Sequence, residues 1–172
     1  MGCTVERVGR ARLGTREESH TLEQQFRFKG TTADAITHAV LNQPLVGDGS
    51  VFGNRPGREE PAAGAGRYLR GFSPTPTFRF DVTIRRVAPN TFVVGFAQPD
   101  RPTPYLEGEI VWFLSNDGDD AIFDEQINTT RALEHATKPL SGTRRSLRRW
   151  LFFRMGHKRV MDDAVKNIAR WL

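Results

Sequence analysis

Glu125 is the polar residue whose position in this chain most invites chemistry. It stands between Phe123 and Ile127 in the alternating segment Ala121–Thr129, so the face that carries two apolar side chains carries a carboxylate as well. A carboxylate turned into a core is costly unless it is paired. Arg154 and His157 are its candidate partners, because both fall on the mixed part of a helical stripe near the end of the chain. Paired in this way, Glu125 is a polar anchor for a ligand or an acid/base group with a shifted pKa. The alternative is a bulged or frayed strand that leaves it in solvent. His157 follows Phe153 by one helical turn and stands close to Val160 and Met161. It can donate to a ligand or act as a general base, or it is a satisfied structural histidine near the surface.

Other chemistry-bearing residues are less well placed. Glu107 and Glu109 share a strand face, as paired carboxylates would, but a solvated face neutralised by Arg79 and Arg85 explains them more cheaply. Tyr68 and Tyr105 can offer hydroxyls to an apolar pocket or bury their rings and keep the hydroxyls wet. His20, His38 and His135 lie in separate segments without ligand spacing, so no metal site and no cofactor are expected. Cys3 is the only cysteine, which excludes an intrachain disulfide and a cysteine zinc cluster. Gly64-Ala65-Gly66 lacks the Gly-Lys-Ser/Thr ending of a phosphate loop. There is no G-x-S-x-G from which a nucleophile triad could be built.

These residues have to be positioned by one domain, the simplest reading of 172 residues. Twelve Phe and three Trp supply bulk to a chain that is only 38% hydrophobic. No apolar run reaches the roughly 18 residues of a membrane span, and Met1 to Arg16 show no signal-peptide core. The Met-Gly start has Glu6 where a myristoylation signal wants Ser or Thr. A cytoplasmic protein is therefore expected. The net charge of +5 is almost wholly arginine, a composition that suggests a GC-rich bacterial genome. It is compatible with anionic partners, yet nucleic-acid motifs are absent and no nucleic-acid partner is expected. The run Arg144-Arg145-Ser146-Leu147-Arg148-Arg149-Trp150 is either a basic surface for a membrane or an acidic partner, or the solvated start of a helix.

Along the chain, residues 1–18 read as a flexible arm or an irregular edge strand. The alternation of Leu22, Gln24, Phe26 and Phe28 makes Thr21–Lys29 a strand that Gly30 breaks. Thr31 and Thr32 with Asp34 close behind start a helix that runs to about Asn42, before Pro44. Gly53 to Gly66 reads as a loop. Strands follow at Gly66–Phe72, Thr77–Val87, Thr91–Gln98, Tyr105–Ser115 and Ala121–Thr129, joined mostly by short turns and hence antiparallel. Gly142 to Leu172 reads as one long helix whose stripe includes Met161, Val165, Ile168 and Leu172.

This order resembles the START-like superfamily, the helix-grip fold shared with Bet v 1-type proteins and bacterial polyketide cyclase or dehydrase-like domains (SRPBCC). The resemblance rests on the Thr21–Lys29 strand, the Thr31-Thr32-Ala33-Asp34 helix start, the strands from Thr77 to Thr129 and the Gly142–Leu172 helix. It covers nearly everything after residue 20, but as an element order rather than a residue signature. It implies an α+β fold: a curved antiparallel sheet gripping a long C-terminal helix, with a short helix after the first strand and a single domain over 19–172. It also implies an internal cavity for a hydrophobic or amphipathic small molecule or lipid. Inward Phe80, Val82, Phe96, Trp112 and Phe123 would line it with Phe153, His157 and Met161, and Glu125 and His157 would orient the ligand. The fold does not choose among carrier, cyclase or dehydrase acting through His157 and Glu125, and an interaction module using Arg144–Arg149. Transient contact with a membrane surface fits the first and third, and oligomeric state is not legible.

Overall fold

Side chains on one face of a strand line up with those of the strands beside it, so register decides which residues meet. The structure, a computed structural model, describes residues 3–16, 19–43, 45, 58–62, 66–75, 78–97, 108–129 and 157–172. Eight strands form one antiparallel, curved sheet in the order β1-β2-β8-β7-β6-β5-β4-β3. They are β1 (Thr4–Arg16), β2 (Ser19–Lys29), β3 (Arg58–Ala62), β4 (Gly66–Thr75), β5 (Phe78–Ala88), β6 (Thr91–Ala97), β7 (Gly108–Asp117) and β8 (Asp120–Thr129). Helix α1 (Ala33–Asn42) follows β2, and helix α2 (Lys158–Trp171) closes the chain. The sheet grips α2, which packs against α1 and β1.

The inner face is built in rows. Leu22, Ile127, Ile110, Val94 and Ile84 are successive cross-strand partners on β2, β8, β7, β6 and β5. All five are buried, as β-branched and aliphatic side chains on a pleated core face should be. Four residues along, Phe26, Phe123 and Leu114 make a second apolar row. Between these lies a row of different character: Gln24, Glu125, Trp112 and Phe92, also buried.

Helix α1 begins where its sequence signals it. Thr32 Oγ1 accepts from the Ala35 amide at 3.2 Å, and Asn116 Oδ1 of the β7–β8 hairpin accepts from the Ala33 amide at 2.8 Å. Two of the amides that a helix start leaves free are thereby satisfied. At its other end Arg67 of β4 donates to the carbonyls of Val40, at 3.1 Å, and Gln43, a cation at the negative helix end. Gly30 turns the chain from β2 toward α1 with a φ of +68°. Its amide donates to Asp120 Oδ1 at 3.0 Å, while Arg27 reaches Asp120 Oδ2 at 3.1 Å. The Gly30 amide first and the Arg27 guanidinium second hold the Asp120 carboxyl below its ordinary pKa.

Helix α2 buries Met161, Ala164, Val165, Ile168 and Ala169, the face its periodicity indicates. Asn167 Nδ2 donates to the Leu45 carbonyl at 3.3 Å, and the Cys3 amide donates to the Ala169 carbonyl at 2.9 Å. The Cys3 thiol is half-buried, and its pKa is raised by that burial and secondarily by Asp120.

Of the two readings of residues 1–18, a flexible arm or an irregular edge strand, residues 4–16 form the edge strand β1, with a register shift between Val8 and Arg12. Its sequence has little apolar content, and what fixes it is the backbone ladder to β2 and the Cys3 contact with α2. The expected Thr21–Lys29 strand is β2, and the short helix follows it as expected. The Gly53–Gly66 stretch contains β3, paired with β4, where a loop was expected; Arg58 to Ala62 has no clean apolar alternation to announce a strand. Of the expected Gly142–Leu172 helix, residues 142–156 lie outside the described residues. The strands Thr77–Val87, Thr91–Gln98 and Ala121–Thr129 match β5, β6 and β8 within one residue at each end. Among the described residues no helix is long and apolar enough to cross a membrane.

Candidate functional site

Gln24, Glu125 and Trp112 are direct partners across β2, β8 and β7, so the register alone stacks an amide, a carboxylate and an indole side by side. Glu125 is 1% exposed. Trp112 Nε1 donates to Glu125 Oε1 at 3.0 Å, and Gln24 Nε2 donates to Glu125 Oε2. His157, just before α2, brings its Nε2 to 3.0 Å from Glu125 Oε1. Its side chain is 12% exposed, against 0% for that of Glu125, so the imidazole stands between the buried carboxylate and the outside.

The amide of Gln24 is oriented from the far side. Arg7 of β1 donates through Nη1 to Gln24 Oε1 and through Nη2 to Asp162 Oδ1 at 2.5 Å. Arginine can only donate, so the oxygen of Gln24 turns to Arg7 and its nitrogen to Glu125. The guanidinium lies over the Phe26 ring, 4.5 Å from its centre, a cation–π contact in a half-buried setting. Asp162 in turn accepts from Lys158 Nζ at 2.6 Å. One chain of polar contacts therefore runs from Lys158 and Asp162 on α2 through Arg7 and Gln24 to Glu125, where it meets Trp112 and His157.

Chemically this is a carboxylate under converging N–H groups. Indole is a donor only, and the Gln24 amide is turned as a donor, so the arrangement suits an ionised, acceptor-only Glu125. The row is flanked by the two apolar rows, and Trp112 and Phe123 pack with ring centres 5.4 Å apart. The setting is one of low polarity in which each donor counts for more than it would in water.

Of the residues named from sequence, the structure brings Glu125, His157, Trp112 and Phe123 together. Met161 belongs to the same buried core from the α2 side. Phe80 and Phe96 form a second group farther along the sheet, edge to face at 6.0 Å, with Val82 the direct partner of Phe96. Phe80 is buried, and Val82 and Phe96 are half-buried. Phe153, Arg154, Tyr105, Glu107 and the basic run Arg144–Arg149 lie outside the described residues, as does the side chain of Tyr68. Glu109 and His38 are exposed. Among the described residues no three His, Cys, Asp or Glu side chains are grouped as ligands for an ion.

Gln24 and Arg7 were missed as site residues. The signal for Gln24 was present: it is the polar member of the inward set Leu22, Gln24, Phe26, Phe28. Arg7 carried no such signal, because its segment read as an arm or an irregular edge strand without an assigned face. Trp112 was expected to present a ring and contributes a hydrogen bond as well.

No family model matches the chain, and no curated protein is similar to it. Similar solved structures include CalU16 from Micromonospora echinospora, 16% identical over 97% of this chain and 95% of that one, with a TM-score of 0.43. Protein Ms6760 from Mycobacterium smegmatis is 14% identical over 95% of this chain and 96% of that one, TM-score 0.49. Mll3558 from Rhizobium loti is 18% identical over 73% and 81%, TM-score 0.39. At that level of likeness function has to come from the geometry of the site itself.

Proposed function

We propose that the protein binds a hydrophobic or amphipathic small molecule between the inner face of the sheet and α2, with Glu125 and His157 as its polar anchor. The observation that carries this is the burial of Glu125 beneath Trp112, Gln24 and His157. Taking a carboxylate out of water is expensive, and an apolar side chain in its place would commonly stabilise a core as well or better. A retained buried carboxylate joined to a partly exposed imidazole is accounted for if the imidazole is held ready for something outside the core. The aromatic and aliphatic rows on either side suit an apolar body, and half-buried Phe96 and Val82 extend that surface along the sheet.

The test is native mass spectrometry of protein purified from its own host, followed by denaturing extraction. A co-purifying apolar compound supports the proposal. A clean unliganded mass, together with no thermal shift across a panel of lipids and polycyclic aromatics, removes it.

The 3.0 Å contact of His157 with Glu125 favours a second reading, acid–base catalysis on the bound molecule, with the carboxylate stabilising the imidazolium that forms when His157 takes a proton. Turnover of the extracted compound that follows the ionisation of His157 and is lost in His157→Ala would establish it. Unchanged turnover in that variant would dismiss it.

A further inference from the structure

We infer that His157, held as the neutral imidazole in the ligand-binding state, offers its ligand a hydrogen-bond acceptor, Nδ1, and that the bound molecule carries an uncharged O–H donor rather than a carboxylate. This rests on the ligand-binding proposal above and names the polar group of that ligand.

Arg7, tied to Asp162, fixes the oxygen of Gln24 and so turns the amide nitrogen toward Glu125. Trp112 adds a second N–H. With donors on both oxygens, Glu125 is held as an acceptor, and the group that completes it from the His157 side is an Nε2–H. In a neutral imidazole only one nitrogen carries the proton, so a proton on Nε2 leaves Nδ1 with its lone pair free to accept. Among the described residues Nδ1 has no hydrogen-bond partner.

The ring is half-buried, and an acceptor partly removed from water gains from any O–H that reaches it. An alcohol, phenol or enol supplies one without bringing charge. A carboxylate has no proton to give, would set its lone pairs against that of Nδ1, and would bring a second negative charge toward Glu125. Of the cations nearby, Arg7 is committed to Asp162 and Gln24, and Lys158 to Asp162. An ether or bare hydrocarbon of the same shape leaves Nδ1 without a donor.

The probes are 2-naphthol, 2-naphthoate and 2-methoxynaphthalene, titrated calorimetrically into the full-length protein, with the ring nitrogens of His157 read by 15N NMR. The expected result is an Nε2–H tautomer and 2-naphthol binding about ten-fold more tightly than either analogue, the ratio that one hydrogen bond supports. In His157→Phe that preference should fall to within about two-fold. Naphthoate equal to or tighter than naphthol, a proton on Nδ1, or a preference that survives in His157→Phe would each overturn the inference. The tautomer and the ligand series are measured on the wild-type chain, so neither depends on the variant folding. If the three compounds bind without a hydroxyl preference, this inference alone fails. If none binds and no apolar compound co-purifies, the ligand-binding proposal fails and this one with it.

Discussion

Replacing Glu125 by leucine should separate what the carboxylate does for stability from what it does for function. The substitution keeps the approximate volume and leaves the Trp112 N–H and one Gln24 N–H buried without an acceptor, while His157, being partly exposed, can turn to water. A buried donor deprived of its partner costs about 1–3 kcal/mol, so two of them predict a loss of about 2–6 kcal/mol. For a domain stable by roughly 5–15 kcal/mol this is a large fraction. With a urea m-value of about 1–3 kcal/mol/M, a loss near 3 kcal/mol moves the midpoint down by about 1–3 M. The informative partner is the triple variant Gln24→Leu, Glu125→Leu, Trp112→Phe, which makes the whole row apolar and orphans none of its members. Arg7 loses its acceptor on Gln24 but keeps Asp162 and the Phe26 ring. The triple variant should recover most of the lost stability and still fail to bind a hydroxylated probe. Urea titrations at neutral pH decide the first half and calorimetry the second. A loss below about 1 kcal/mol for Glu125→Leu, or a triple variant no more stable than the single one, would refute the view that the row is a satisfied network whose carboxylate is dispensable for folding.

Ile168 is buried on α2 and Lys166 is exposed. Ile168→Asp should abolish cooperative unfolding, while Lys166→Asp should change stability by no more than about 0.5 kcal/mol; equal tolerance would remove the assigned buried face. At Gly30 a Cβ would meet nothing within 4 Å, yet the φ is +68°. Gly30→Ala should therefore cost about 1–2 kcal/mol through the backbone alone, a fall in Tm of roughly 2–8 °C by calorimetry, and an unchanged Tm would contradict it. Asp120 has its pKa lowered in the native state by the Gly30 amide and then Arg27. Its contribution is therefore present above the unfolded-state value of about 3.9 and is lost as pH falls through the native-state value. Asp120→Asn should be less stable than wild type at neutral pH and converge with it in acid; a gap that stays constant with pH would disprove the linkage.

The part of the site that could be read in advance was the part governed by short periods. Alternation over Ala121–Thr129 put Glu125 between Phe123 and Ile127, and three- and four-residue steps put His157 on the stripe that continues through Met161. Both residues carry their own positional signal, since strands repeat every two residues and helices every 3.6. Gln24 carried the same signal and was passed over because a glutamine on a strand is chemically quiet by itself. Only its pairing opposite Glu125 makes it a donor. Arg7 was hidden for a different reason: a segment with few apolar residues reads as an arm or as an edge strand until its partner is known, and neither reading assigns Arg7 a face. β3 was hidden in the same way.

The sequence by itself determined the local elements and their faces: the start of α1 at Thr32, the break at Gly30, the core faces of β5, β6 and β8, and the buried stripe of α2 from Met161 to Ile168. These follow from steric and hydrophobic preferences acting over a few residues. Only the tertiary structure decided that β2 lies beside β8 rather than beside its chain neighbour β3, that β1 closes the edge, and that α2 crosses near β1. Those choices bring positions 7, 24, 112, 125, 157 and 162 into one hydrogen-bonded chain. Contacts over such separations are set by strand order and register, which depend on how every inner face fills the same core at once, and no local period in the chain records them.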